Sequence, residues 1–351
     1  MLLTVYSPFS AIHSSSVISH LSRARFGQQP LESCVSTMSG LLEITHGNSR
    51  SIYDVKYIVH TLTSSQSQLP EGATLLGVIL SSDKTNISVM SGNHMAHPLL
   101  LSLANIDTDI CSKGSLHGFL LLALLPVASF IHKKSRVQSL LSNRLIHQCL
   151  DLVLKPLKVT AAIGVMMSDP IGNLHHCHTP LVAYIADMPE QSLIACTSPK
   201  VSPVSTTIYK EFGDGIHHPP RMATDTLGVI KTMCTKSPLT DLLEFLKAAK
   251  THQLNGVFEP FWRNHFGSKP SRFLLPEMLH HFHHFFFNHD LQWCIGAVGS
   301  EELNYRFSLI QTLVGYRSFS EGVSKLKQVT GHDHCAIQRY IIGIVTGAVP
   351  P

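Results

Sequence analysis

Cysteine pairs are missing from this chain. Its eight cysteines are scattered, and the closest two, Cys177 and Cys196, stand 19 positions apart, so no Cys-x-x-Cys exists anywhere. That excludes a compact zinc ribbon and a small disulfide framework, and it fits the reduced thiols of an intracellular protein. Charge is scarce as well: Asp, Glu, Lys and Arg make up 14% of residues, against about 25% in ordinary soluble domains. The balance, 27 − 23 = +4, is mildly basic; it is compatible with nucleic acid and far from a histone-like tail. There is no Gly-x-Ser-x-Gly nucleophile turn, no Walker A loop, no Gly-x-Gly-x-x-Gly and no His-Glu-x-x-His. Serine hydrolases, phosphate-loop enzymes, dinucleotide binders and zincin proteases therefore lose their usual signatures. A long apolar run is also lacking. The best, residues 116–131, has 16 positions and contains His117 and Pro126, short of the roughly 20 that span a bilayer. It is predicted to be a buried helix rather than a membrane segment. Residues 1–31 hold no Asp or Glu, several Ser, Arg23 and Arg25. This resembles a transit peptide in composition, but we read residues 1–70 as leader and linker, partly disordered; neither a basic n-region nor a small-residue cleavage site marks a secretory signal.

What is present is enough for a core. Apolar residues reach 44% over 351 positions, with a mean hydropathy of +0.14, which rules out global disorder and leaves room for two domains. Histidine is the outlier, at 23 residues. Three short apolar runs, 73–82, 86–90 and 97–104, read as strands, separated by polar or Ser-Gly-Asn turns. Residues 116–131 and 137–154 read as helices, the second stopped by Pro156. Residues 181–186 (LVAYIA) form a fourth strand, leading into Asp187. Residues 191–240 are rich in Ser, Thr, Pro and Gly without a period and read as an insertion. Residues 241–250, 276–295 and 301–346 read as helices.

Three carboxylates stand where elements begin or end. Asp83 follows the first strand, Asp187 the fourth, and Glu277 opens a helix behind Pro276. Each has an ordinary explanation, since Pro and an acid both suit a helix start. Four histidines, His280, His281, His283 and His284, crowd into five positions, and His280, His283 and His284 share a helical face. They make a rival metal site, but without a cysteine or a His-Glu-x-x-His we read them as a packing helix with Phe282, Phe285 and Phe286 buried. His175, His176, Cys177 and His178 are read the same way. The basic stretches 132–136 and 325–327 suit phosphate contacts within a larger surface.

A series of ordered words ties these features together. They include Ser82-Asp83-Lys84-Thr85, Pro98-Leu99-Leu100-Leu101-Ser102-Leu103-Ala104-Asn105-Ile106, Leu145-Ile146-His147-Gln148-Cys149-Leu150-Asp151 and Pro180-Leu181-Val182-Ala183-Tyr184-Ile185-Ala186-Asp187. Phe212-Gly213-Asp214, Leu254-Asn255-Gly256-Val257, Phe261-Trp262, Pro276-Glu277 with Leu279-His280, and Lys325-Leu326-Lys327-Gln328-Val329-Thr330-Gly331 follow. Over roughly residues 69–349 the chain resembles the Plavaka-type transposases of fungal DNA transposons, related to the CACTA elements. The resemblance implies a mixed α/β fold with an RNase H-like core, an insertion after the fourth strand and a helical C-terminal part. It divides the chain into 71–190, the first part of the core; 191–270, the insertion; 271–300, a core helix carrying the last acid; and 301–351, a helical end. It implies an acidic triad, Asp83, Asp187 and Glu277, with Asp290 the competitor for the third place. The triad holds Mg²⁺ or Mn²⁺ for strand cleavage and transfer at transposon-end DNA, in the nucleus, without a membrane and with homo-oligomers as possible assemblies. Two metals suit this chemistry because charge builds on phosphate oxygens during in-line displacement, and hard oxygen ligands suit such ions. The chain departs from the family in places. Ser202-Pro203-Val204-Ser205 stands where many relatives carry Cys-x-x-Cys, and the N-terminal zinc finger and C-terminal continuation of relatives are not found. On that basis the chain reads as a truncated copy: either a metal-dependent strand-cleaving core, or a catalytically silent remnant that binds DNA or protein.

Overall fold

The computed structural model describes residues 69–86, 95–106, 111, 114–267, 269–277, 279–311, 317–326, 329 and 331–348. The chain divides after Leu275 into two units. Much of the expected strand 86–90 lies outside the described residues, as does the leader up to residue 68.

The first unit is mixed α/β. Its strands are β1 (Thr74–Leu75), β2 (Val78–Ser82), β3 (Thr85–Asn86), β4 (Met95–Ala96), β5 (Pro98–Leu103), β6 (Leu120–Leu124), β7 (Val165–Ser168), β8 (Leu174–His178), β9 (Leu181–Ala186) and β10 (Leu274–Pro276). Five of them form one sheet in the order β10-β9-β2-β5-β6. Within it β2 runs antiparallel to β5, β5 antiparallel to β6, and β2 parallel to β9. A smaller mixed sheet has the order β1-β8-β7, and β3 pairs with β4. β9 reads as an unbroken apolar run because both its faces are covered: Leu181, Val182, Ala183, Tyr184 and Ala186 are all buried.

The run 116–131 is not a helix. Its centre is β6, pairing with β5 from Pro98↔Leu124 to Leu101↔Leu120. Leucines favour helices when nothing else decides, but here the backbone groups of 120–124 pair with those along the edge of β5. A 3-10 turn at Gly114–Leu116 and the positive φ of His117 set the direction in. The third strand of the sheet is therefore 120–124.

Helix α1 (Ser135–Val153) forms where a helix over 137–154 is predicted, burying Val137, Leu140, Ile146, His147 and Leu150. Pro156 then serves the first turn of α2 (Lys155–Ile163), where the missing N–H costs nothing. Gly164 ends α2 at φ 74°, ψ 174°. A β-carbon there would meet His176 Nε2 at 2.3 Å, so both conformation and space demand glycine. α3 (Met188–Ile194) follows β9. The stretch 191–240 is less irregular than its composition suggests, since it contains α4 (Ala223–Lys236). α5 (Leu242–Thr251) is capped by Asp241, whose Oδ1 accepts from the amides of Leu243 and Glu244 at 3.1 and 3.0 Å. α6 (Pro270–Phe273) leads into β10. Arg144 from α1 lies between the rings of Phe245 and Phe258, 4.9 and 4.8 Å from their centroids.

The main core joins β2, β5 and β9 to Ile146, Leu150, Leu154, Phe261, Trp262 and Phe273. At its centre His147 is fully buried with both ring nitrogens used. Nε2–H donates to the Leu193 carbonyl at 3.0 Å, and Nδ1 accepts from the Phe261 amide at 3.1 Å. A second proton on Nδ1 would face a donor. Burial, chiefly, holds the His147 pKa down to about 4. Trp262 Nε1 donates to Ile194 O at 2.8 Å, and Asp151 pairs with Lys158 and, at 3.2 Å, with Arg263.

The second unit is helical. Residues 279–284 wind as a π-helix, followed by α7 (Phe285–Asn288), a turn at His289, α8 (Asp290–Val298), α9 (Ser300–Ser308) and α10 (Gly331–Val345). The expected single helix over 276–295 is thus broken, and its first residue belongs to β10. Its core gathers Leu291, Leu303, Phe307, Phe319, Val323, Ile337 and Ile341. Asn304 Oδ1 accepts from the amides of Val323 and Ser324, both at 2.9 Å, and so pins a non-helical stretch where unbroken helix is predicted. Among the described residues no helix is long and apolar enough to cross a membrane.

Two outcomes follow. A histidine with a folded pKa below 6.5 contributes stability that is complete above that pH and is lost as pH falls toward 4. For His147 the drop to about 4 corresponds to about 3 kcal/mol. His147→Gln, which keeps one donor and one acceptor, should flatten the fall of the thermal midpoint between pH 6.5 and 4, leaving the parts due to His265, also held at about 4 by burial, and to His283, lowered by burial. Gly164→Ala should lower the urea midpoint by an amount equivalent to about 2 kcal/mol or more.

Candidate functional site

Asp83 and Asp187 come together through strand pairing. β2 and β9 are neighbours and parallel, with Leu80 opposite Tyr184 and Ser81 opposite Ile185. Asp83 and Asp187 are the residues that directly follow these two strands. Neighbouring strands lie about 4.8 Å apart, so both acids stand at one edge of the sheet, one on each of two adjacent chain ends. Within the five-stranded sheet β2 is the first strand in chain order and β9 the fourth. Asp83 is exposed and Asp187 half-buried.

The two carboxylates are held differently. Asp187 is the N-cap of α3, and its Oδ1 accepts from the Glu190 amide at 2.8 Å. This orients one carboxylate oxygen and anchors the acid to a helix start, where negative charge is favoured. Lys84, beside Asp83, is exposed. So are His132, Lys133, Lys134 and Arg136, which lead into α1.

Directly under this edge lies a polar cluster that the sequence reading missed. Ser82, the last residue of β2, is 3% exposed, Glu190 7% and His97 0%. Glu190 Oε1 accepts from the Ser82 hydroxyl and from His97 Nε2, the latter at 2.8 Å. Since Ser82 spends its proton on Glu190, its oxygen accepts from the Tyr184 hydroxyl at 2.8 Å. Burial, and then the Glu190 charge, push the Tyr184 phenol far above its ordinary range. One signal was available in the sequence: a Glu three residues beyond a capping Asp. Gln191 adds a further tie, donating to Ala186 O at 2.9 Å and Leu275 O at 2.8 Å.

Glu277 belongs to the second unit. It follows β10 and precedes the π-helix rather than opening an α-helix, and its carbonyl accepts from His281 Nδ1 at 3.0 Å. Asp290 is the first residue of α8, beyond the turn at His289 and hence not on one continuous helix with Glu277. The histidine segment also differs from expectation. His283 is buried, its Nδ1 2.5 Å from Gln338 Oε1, whereas Phe282 and Phe285 are exposed. The wider π turn, bonded i to i+5, shifts the inward face away from the positions an α-helix would bury.

On β8 the cluster 175–178 alternates faces. His175 pairs with Asp169 at 3.3 Å, His178 Nδ1 contacts Ala161 O at 3.2 Å, and Cys177 is buried with its thiol pKa pushed up to about 11. Among the described residues no three His, Cys, Asp or Glu gather closely enough to hold a metal ion. Ser202-Pro203-Val204-Ser205 closes as a hydroxyl-bonded turn, with Ser202 Oγ accepting from the amides of Val204 and Ser205 at 3.4 and 3.0 Å. The donor chemistry at the strand edge suits a hard divalent cation: two carboxylates, one already oriented, with no thiol or imidazole among the acids themselves.

No curated protein matches the chain. The family model of the Plavaka transposase matches residues 48–294, a stretch that contains the whole five-stranded sheet, Asp83, Asp187, Glu190 and Glu277. The chain belongs to the Plavaka transposase family.

Proposed function

We propose that the five-stranded sheet is an RNase H-like core for two-metal cleavage and transfer of DNA strands, with Asp83 and Asp187 as two of its acids and Glu277 as the third. The observation that carries this reading is the parallel, in-register pairing of β2 with β9. Asp83 directly follows β2 and Asp187 directly follows β9, the first and fourth strands of the sheet in chain order, which supports that reading. Residues 191–270 are then the insertion between the fourth strand and the fifth.

Asp83, Asp187 and Glu277 would hold Mg²⁺ or Mn²⁺. When bound, such ions neutralise charge on the phosphate oxygens and lower the pKa of the attacking water or hydroxyl. The chain's own contribution is position. The Glu190 amide orients Asp187 before any ligand arrives. Asp83 stands exposed at the strand end, where a phosphodiester can reach it. Lys84 and the exposed residues 132–136 suit contacts to phosphate, which place DNA without reading its sequence. The substrate is transposon-end DNA and the compartment the nucleus; homo-oligomers, which would bring two ends together, belong to the same reading.

The test is nicking of end-containing DNA by the full chain with Mg²⁺ or Mn²⁺. Asp83→Asn should lower cleavage at least a hundredfold while leaving DNA affinity within about threefold, because the amide keeps the shape and removes the anionic ligand. Glu277→Gln should behave alike and Asp290→Asn should be mild; the opposite ranking moves the third acid to Asp290. DNA binding without cleavage in either metal would replace the enzyme reading by that of a silent DNA-binding remnant.

A further inference from the structure

We infer that Glu190 is a positioning residue for the acidic site: its main chain holds Asp187, its side chain holds the residue before Asp83, and it thereby sets the spacing of the two carboxylates. The inference rests on the proposed metal site and adds to it a residue that touches neither metal nor substrate.

The geometry is specific. The Glu190 N–H donates to Asp187 Oδ1 at 2.8 Å, while its Oε1 accepts from the Ser82 hydroxyl. One residue therefore spans the ends of both acid-bearing strands. The same Oε1 accepts from His97 Nε2 at 2.8 Å, and His97 immediately precedes β5, the strand on the far side of β2. Tyr184, from β9, completes the chain of donors through Ser82 at 2.8 Å. Two side chains, Ser82 from β2 and His97 beside β5, thus meet on one carboxylate oxygen of Glu190 from α3, and Tyr184 from β9 joins them through Ser82. Lateral drift of β2 against β9 at this edge would break several of these bonds together.

Burial makes the arrangement demanding. A buried carboxylate without partners is strongly unfavourable, and Ser82, His97 and Glu190 are all nearly inaccessible. A packing role alone would be met by an apolar side chain of similar size. Here a polar group is placed in the core at the one point where the two acids must be kept at a set separation. Residues that orient metal ligands typically change metal affinity by about 10- to 100-fold when removed.

Mn²⁺ binding to the full chain, followed by electron paramagnetic resonance of the free ion, separates the possibilities without needing cleavage. Asp83→Asn should abolish the tight Mn²⁺ site. Glu190→Ala should weaken it at least tenfold, and Glu190→Gln, which keeps an oxygen to accept from Ser82 and His97, should restore it to within about threefold. Wild-type affinity in Glu190→Ala, alongside loss in Asp83→Asn, would overturn the positioning role and leave the site standing. Equal losses in Glu190→Ala and Glu190→Gln would also overturn it, since the amide retains the acceptor. Mn²⁺ binding untouched by Asp83→Asn would defeat the site itself. If circular dichroism shows that Glu190→Ala does not fold, Ser82→Ala decides: a weaker Mn²⁺ site supports the inference, and an unchanged one overturns it.

Discussion

The parallel pairing of β2 with β9 is the constraint on which the rest of this protein depends. Parallel neighbours cannot be joined by a tight turn, and here nearly a hundred residues separate Ser82 from Leu181. Those residues supply what the pairing needs. β5 and β6 extend the sheet on one side of β2, α1 and α2 add helices to the core, and β7 and β8 return the chain so that β9 enters alongside β2. Because both strands run the same way and share register, their C-terminal ends coincide, and the residues just beyond them are Asp83 and Asp187.

Several of the words that tie the chain to its family serve this packing rather than chemistry. In Leu145–Asp151 of α1, His147 bonds the Leu193 carbonyl and the Phe261 amide, and Asp151 pairs with Lys158 and Arg263. Asn255 Nδ2 reaches the same Leu193 carbonyl at 3.3 Å, and Trp262 Nε1 the next carbonyl, of Ile194, at 2.8 Å. The turn 255–264 is thereby bound to α1 and to the end of α3. α3 is the helix whose first turn carries Glu190, so the buried histidine and the acidic edge share a support. The neutral, doubly bonded state of His147 makes that support sensitive to acid.

Histidine abundance has no single meaning here. His147 is a core hydrogen-bonding group, His97 a partner of a buried carboxylate, His283 a partner of Gln338, and His175 a partner of Asp169. Each ring offers a donor and an acceptor in the neutral form, which lets it serve as a hydrogen-bonding group in a chain where only 14% of residues are charged.

Sequence by itself determined a good deal. Apolar runs with clear ends announced β2, β5 and β9; a run stopped by Pro156 announced α1; and an amphipathic run announced α5. The ordered words pointed to the family. Tertiary structure alone decided the rest. Residues 120–124 became a strand by pairing with β5, a contact that no local propensity encodes. The hairpin β7–β8 and the short β10 lack a strong pattern because each is defined by its neighbour. The turn at His289 and the non-helical residues 317–326 answer to packing and to Asn304, not to composition. Glu190 looked like an ordinary helix-start acid, and only the convergence of Ser82, His97 and Tyr184 gives it a role: hydrogen bonds between residues about a hundred positions apart exist once the strands have met, and not before.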